Sequence, residues 1–155
     1  MISLTFYMEP TPKAAPRTSF GDGSVQTYNP DKTTQAMAFI KSTAISWANE
    51  NGVTSFPIYE ARLPILMTCS FFRSRPKSLP KSVKLPAVAP DLDNLTKMMD
   101  ALKGVIFADD GQIVGMMCEK EFVELGGMPR VEVSFQEALT EDQKAPRGPK
   151  MTITK

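Results

Sequence analysis

The chain has 155 residues, 42% of them hydrophobic, and a chain of this length forms one domain that buries about 70% of its unfolded surface. It contains no histidine, which excludes the side chain most often used as a zinc ligand or catalytic base. No segment approaches eighteen apolar residues and the start lacks a basic leader, so we expect neither a membrane span nor an export signal. Cys69 and Cys118 lie in separate apolar runs and are expected to be reduced core residues, which indicates a cytoplasmic protein.

The net charge of +1 is unevenly distributed along the chain. Residues 1–90 carry ten basic and five acidic residues, residues 91–124 carry three and eight, and residues 125–155 carry five and four. This division suits an enzyme that holds a polyanion by its backbone and reserves carboxylates for metal ions at one phosphate. It equally suits an ordinary protein with uneven surface charge.

The first elements in chain order are a strand, a proline-rich loop and a helix. Residues 2–7 alternate like a strand, residues 9–17 contain three prolines and form a stiff loop, and residues 25–28 predict a short extended piece. Residues 31–51 predict an amphipathic helix, capped near Asp31 or Thr33 and closed by Gly52. Its apolar stripe consists of Met37, Ile40, Ala44, Trp47 and Ala48.

The central part of the chain predicts a buried strand followed by a basic loop. Residues 61–72 are rich in alternating apolar residues and indicate a central strand, with Pro64 near its beginning. Residues 73–86 contain five cations and no acid. Because the run leads directly into an acidic segment, we predict a loop that contacts DNA, although such runs are often only solvated surface. The cations are Arg73, Arg75, Lys77, Lys81 and Lys84.

A second helix and three strands are predicted after the basic loop. The spacing of Leu95, Met98, Met99 and Leu102 predicts a helix over residues 93–103, with Gly104 as the residue that ends it. Strands are expected over residues 105–107, 113–119 and 130–135. These elements predict an α+β fold with a mixed, mostly antiparallel sheet of about four or five strands and two main helices.

Five of the seventeen acidic residues fall within residues 90–113. A helix start at Asp91 and Asp93 and a strand end at Asp109 and Asp110 are able to bring three carboxylates together. Three carboxylates about 4 Å apart repel one another by about 4 kcal/mol per pair at an effective dielectric near 20, so a metal-free cluster is disfavoured. Oxygen ligands favour Mg²⁺ or Mn²⁺ over zinc.

Each acidic pair also has a purely structural interpretation. Asp93, with Thr96 three residues later, fits a helix N-cap, and Asp91 is favoured there by the helix dipole. Asp110 followed by Gly111 is a strong hairpin-turn signal between two strands. The capping account does not require both Asp91 and Asp93, and the turn account requires only one of the later pair, so the joint pattern favours a functional site.

The joint pattern resembles the signature of the RusA-type Holliday-junction resolvases. The matching blocks are Asp91-Leu92-Asp93-Asn94-Leu95-x-Lys97, Asp100-Ala101-Leu102 and Gly104-Val105-Ile106-x-x-Asp109-Asp110-x-Gln112-Ile113. The family pattern has three residues between the lysine and Asp-Ala-Leu, whereas only Met98 and Met99 intervene here. One missing residue rotates an α-helix face by about 100°. A weaker resemblance to the family's amino-terminal region is carried by Pro10 or Pro12, Lys13, Pro16, Arg17, Tyr28 and Pro30.

The resemblance implies an Mg²⁺- or Mn²⁺-dependent endodeoxyribonuclease that cuts four-way DNA junctions in recombination and repair. It implies metal ligation by Asp91, Asp93 and Asp110, with Asp109 as the alternative to Asp110, and assistance to catalysis by Lys97. It also implies a homodimer, because paired cuts need two sites. Residues 1–139 are expected to form the RusA-like endonuclease domain and residues 140–155 a flexible tail. The expected DNA contacts are Lys13, Arg17, Arg73, Arg75 and Lys77.

Other functions remain open at this point. The acids serve only as caps and turns if the chain is a non-catalytic DNA-binding module, and a less specific branched-DNA nuclease has the same metal site. The Asp-x-Asp motif of sugar transferases fits Asp91 and Asp93 but does not account for Asp109, Asp110 or the basic loop. A calcium-binding loop is excluded because Thr96 stands where glycine is required.

Overall fold

A computed structural model describes residues 1–21, 23–28 and 30–138. Its main sheet has four strands in the order β1-β6-β4-β5, and β2 and β3 form a separate antiparallel hairpin. The strands are β1 (Ile2–Phe6), β2 (Arg17–Gly21), β3 (Ser24–Tyr28), β4 (Ile65–Arg73), β5 (Ile113–Phe122) and β6 (Arg130–Glu137). The tail expected over residues 140–155 lies outside the described residues.

The predicted α+β class and the central position of β4 are confirmed. β4 pairs in parallel with β5 and antiparallel with β6, and β6 pairs antiparallel with β1. Ile65, Met67, Cys69 and Phe71 are buried on one face of β4, as the two-residue period of a strand requires. Pro64 lies just before the strand, where no ladder hydrogen bond is lost.

The long helix α1 (Asp31–Glu50) adds its apolar stripe to the same hydrophobic core. Ile40, Ala44 and Ala48 are buried, and Gly52 follows the helix with a φ of +74°. The helix begins at the expected place, with Pro30 as the N-cap residue and Asp31 as the first helical residue, but no side chain makes a hydrogen bond to the N-terminal end. The hydroxyl of Thr33 instead accepts a hydrogen bond from the backbone N–H of Ala14 at 3.3 Å.

The second helix begins close to its predicted position but changes its winding. It consists of a short α-helix, α2 (Leu92–Thr96), followed directly by a 3-10 helix over Lys97–Leu102. The predicted apolar stripe of this helix is buried, as expected. Gly104 ends the helical segment with a φ of +80°, a backbone conformation that glycine adopts without steric strain.

The predicted strand over residues 105–107 and the hairpin that it implied are wrong. Residues 104–106 form a turn, with the N–H of Gly104 bonded to the carbonyl of Phe107 at 2.7 Å. The carbonyls of Val105 and Ile106 accept hydrogen bonds from Ile58 and Tyr59. The three apolar side chains are buried, and a buried turn carries the same local signal as a short buried strand. Within the described residues, none of the helices is both long and apolar enough to cross a bilayer.

Candidate active site

The start of α2 presents Asp91 and Asp93 to solvent. Asp91 is the N-cap residue, but its side chain makes no capping hydrogen bond, and Asp93 lies inside the first turn. The suggestion that Asp93 is a structural N-cap is therefore wrong. Lys97 Nζ donates to Asp93 Oδ2 at 3.0 Å and to Asn94 Oδ1 at 3.3 Å. The hydrogen bond from Lys97 lowers the pKa of Asp93, so this exposed carboxylate is charged at neutral pH.

The second acidic pair lies at the start of a short 3-10 helix, Asp110–Gln112, where its two members have different surroundings. Asp109 is the N-cap, and its Oδ1 accepts from the N–H of Gly111 at 3.0 Å. Lys103 Nζ lies 2.9 Å from Asp109 Oδ2 and 3.4 Å from Asp110 Oδ1. The hydrogen bond from the Gly111 N–H lowers the pKa of Asp109 most, and the hydrogen bond from Lys103 lowers it further. Asp109 therefore has a local structural task, whereas Asp110 is held only by an exposed ion pair.

Gln112 fixes this acidic segment to the core, a role that its place in the motif did not reveal. Its side chain is buried and makes four hydrogen bonds. Oε1 accepts from the N–H groups of Ala108 and Asp109 at 2.7 and 3.0 Å, and Nε2 donates to the carbonyls of Glu60 and Leu63 at 2.7 and 3.1 Å. One local signal in the sequence indicated this role, the Asp-x-x-Gln spacing of a capping box between Asp109 and Gln112.

Lys97, Asp100 and Asp110 line one open depression of about 190 Å³ with a largely apolar floor. Asp100 also forms an ion pair with Lys13 of the proline-rich loop, with Nζ 2.8 Å from Oδ2. The backbone N–H of Lys13 bonds to the carbonyl of Asn94 at 2.8 Å. The amino-terminal loop is thereby tied to the helix that carries Asp93 and Lys97.

The short spacing between Lys97 and Asp100 coincides with the change of winding. In an α-helix, residues three apart lie about 300° apart around the axis, whereas in a 3-10 helix they lie about 360° apart. The 3-10 segment begins at Lys97 and contains Asp100. Both side chains consequently face the same depression, although one residue fewer separates them than in the family pattern.

The donor chemistry of the acidic residues fits a hard divalent cation, since it consists of exposed carboxylates without histidine. Across residues 1–21, 23–28 and 30–138, however, no three acidic or thiol side chains lie close enough together to hold an ion. The ammonium group of Lys97 pairs with Asp93, and that of Lys103 pairs with Asp109 and Asp110. Both groups balance the negative charge of these carboxylates. Asp91 has no ion pair within the described residues.

The residues expected to contact DNA differ in whether their side chains already bind other groups of the protein. Arg17 and Lys77 are exposed, whereas Lys13 is paired with Asp100. Arg73 Nη1 donates to the carbonyl of Ala89 at 2.8 Å. Arg75 donates to two carbonyls of its own loop, and its guanidinium lies 5.6 Å from the ring centre of Phe122. The two arginines hold the basic loop in shape.

Comparisons with known proteins extend the resemblance to the RusA family over most of the chain. The family described as "Endodeoxyribonuclease RusA" matches residues 8–136, a range that contains every acidic residue discussed above. A relative from Bacillus subtilis (strain 168), "Uncharacterized protein YqaN", is 31% identical over 147 residues, which covers 88% of this chain and 96% of the relative. The chain belongs to the RusA endodeoxyribonuclease family.

Proposed function

We propose that this protein resolves four-way DNA junctions by metal-dependent hydrolysis of paired phosphodiester bonds. The observation that carries the proposal is the family match over residues 8–136, together with the exposure of Asp91, Asp93 and Asp110 within it. The structural alternatives have weakened, because Asp93 does not cap α2 and the segment at Asp110 is not a hairpin turn.

Asp91, Asp93 and Asp110 would hold Mg²⁺ or Mn²⁺. When bound, the ion supplies an activated water and neutralises charge on the scissile phosphate. Asp110 is the better candidate than Asp109, because Asp109 is already used to cap the 3-10 helix. The hydrogen bond from Lys97 lowers the pKa of Asp93 and so keeps this carboxylate ionised before an ion arrives.

Lys97 would interact with the scissile phosphate or the leaving oxygen. Its side chain is 55% exposed and lines the same depression as Asp110. With Asp93 serving as a metal ligand, Lys97 would be free to stabilise the negative charge that develops in the transition state. Two cuts on symmetry-related strands need two such sites, so the active species is expected to be a homodimer.

The deciding experiment uses a labelled four-way junction and a linear duplex of the same arm sequence, each with Mg²⁺, Mn²⁺ or EDTA. Wild-type protein should make paired cuts in the junction alone, only with metal, and Asp91→Asn and Asp110→Asn should abolish them. Glu50→Gln, at the far end of α1, is the matched carboxylate control and should cut normally. Equal cutting of both substrates would reduce the function to a general nuclease, and cutting by Asp91→Asn would refute the metal site.

A further inference from the structure

The basic loop contains a four-residue repeat, Pro76-Lys77-Ser78-Leu79 followed by Pro80-Lys81-Ser82-Val83. Each copy closes a β-turn, since the N–H of Leu79 bonds to the carbonyl of Pro76 and that of Val83 to the carbonyl of Pro80, both at 3.0 Å. Proline stands at the first position of each turn, and lysine and serine occupy the two central positions. The two turns therefore display the same pair of side chains twice in succession.

Both lysine-serine pairs are exposed and unengaged. Lys77, Ser78, Lys81 and Ser82 are all solvent-exposed, and in the described part of the chain their side chains form no hydrogen bond or ion pair. An ammonium group beside a hydroxyl offers four donor hydrogens, which suits a phosphate group. Free donors at two equivalent positions indicate a ligand with a repeated anion.

Hydrogen bonds from Arg75 hold the second turn in place. Arg75 Nη1 and Nη2 donate to the carbonyls of Pro80 and Val83, the two ends of the second turn, at 3.0 and 2.6 Å. The N–H of Phe122 bonds to the carbonyl of Lys84 at 2.9 Å and fastens the loop to the end of β5. A rigid display loses less conformational entropy when a ligand binds than a mobile loop does.

The same loop is continuous with the start of α2. Lys120 Nζ donates to the carbonyls of Val88 and Pro90 at 2.8 and 3.0 Å, and Arg73 binds the carbonyl between them. Asp91 is the next residue. The turns are thus joined to Asp91 by a short segment that these hydrogen bonds fix in place. A DNA strand held at the turns would therefore lie near the carboxylates proposed to act on it.

We propose that the tandem turns bind successive phosphates of one DNA strand, with Lys77 and Ser78 at one phosphate and Lys81 and Ser82 at the next. Arg73 and Arg75 act by holding the loop and not by touching the DNA. This inference rests on the proposed function, because it assigns the part of the DNA-binding surface that leads to the cleavage site. Glu124 lines the same surface depression as Lys77 and Lys81, but its carboxylate is paired with Arg130 at 3.3 Å.

The test is the salt dependence of binding to a four-way junction in Ca²⁺ or EDTA, where cutting is prevented. Each lost phosphate contact lowers the slope of log K against log salt by about 0.9 on duplex DNA. Lys77→Gln/Lys81→Gln should therefore reduce the slope by about 1.8, and Lys77→Arg/Lys81→Arg should retain it. The control Lys32→Gln/Lys41→Gln removes the same charge from two exposed lysines of α1, outside the basic loop, and should change the slope little.

Equal loss of slope in the two glutamine variants would overturn the inference, because net charge alone would then explain it. An unchanged slope in Lys77→Gln/Lys81→Gln, or no junction binding by the wild type, would also overturn it. Junction binding with the expected slopes but without metal-dependent cutting would support this inference and refute the proposed function. Ser78→Ala/Ser82→Ala should weaken binding several-fold with the slope unchanged, since no charge is lost.

Discussion

Replacing Gln112 with alanine should destabilise the protein far more than its position on the edge of an exposed acidic segment suggests. The substitution removes four hydrogen bonds to two N–H groups and two carbonyls that lie on different parts of the chain. At about 1 kcal/mol for each bond, the loss in unfolding free energy is about 4 kcal/mol. Most of it arises because the four backbone groups lose their partner in a site that water reaches poorly.

Urea unfolding followed by tryptophan fluorescence and by far-UV circular dichroism measures this loss. Gln136→Ala is the matched control, because Gln136 is an exposed residue near the end of β6, and it should change the unfolding free energy by less than about 0.5 kcal/mol. Gln112→Leu fills the volume but makes no hydrogen bond, so it should resemble the alanine variant. A loss below about 1 kcal/mol in Gln112→Ala would refute the account, since one ordinary hydrogen bond would then suffice to explain it.

Three further outcomes follow from local contacts. The pKa of the Cys118 thiol is lowered to about 6, chiefly by a hydrogen bond from Cys69. Its alkylation rate should therefore rise with pH through a midpoint near pH 6, and Cys69→Ala should move that midpoint towards pH 9. A midpoint that the substitution leaves unchanged would contradict this cause. The side chains of Lys13 and Asp100 are 28% and 39% exposed, so a double-mutant cycle should give a coupling free energy of about 0.5–1 kcal/mol that falls in 1 M salt. A coupling free energy that persists in 1 M salt would show that charge is not its source. Gly104→Ala should lower the unfolding free energy by about 1–2 kcal/mol in the same urea assay, because alanine is strained at a φ of +80°, and an unchanged midpoint would mean that the turn relaxes.

Periodicity was a sound guide wherever an element is long. The stripe of α1 and the alternation of β4 span enough residues for the helical and strand periods to differ clearly, and both elements end within a few residues of their predicted limits. The resemblance to the RusA family rested on spaced residues in the acidic segment and was likewise confirmed.

The short segment after Gly104 could not be predicted in the same way. Its three apolar residues are too few to show a period, and their backbone bonds go to Ile58 and Tyr59, almost fifty residues earlier in the chain. The different surroundings of Asp109 and Asp110 depend on Lys103 and Gln112, whose contacts arise only after the chain has folded. The metal ligands and the catalytic role of Lys97 remain predictions.

The 3-10 segment that begins at Lys97 has a consequence for how this helix tolerates deletion. Three residues of 3-10 helix and four residues of α-helix both advance about 6 Å along the axis. Asp100 therefore lies as far above Lys97 as it would in a longer helix, and everything beyond it keeps its height. An alanine inserted between Met98 and Met99 should be absorbed by rewinding into α-helix. The tighter winding thus lets three residues span the rise along the axis that four residues of α-helix would span.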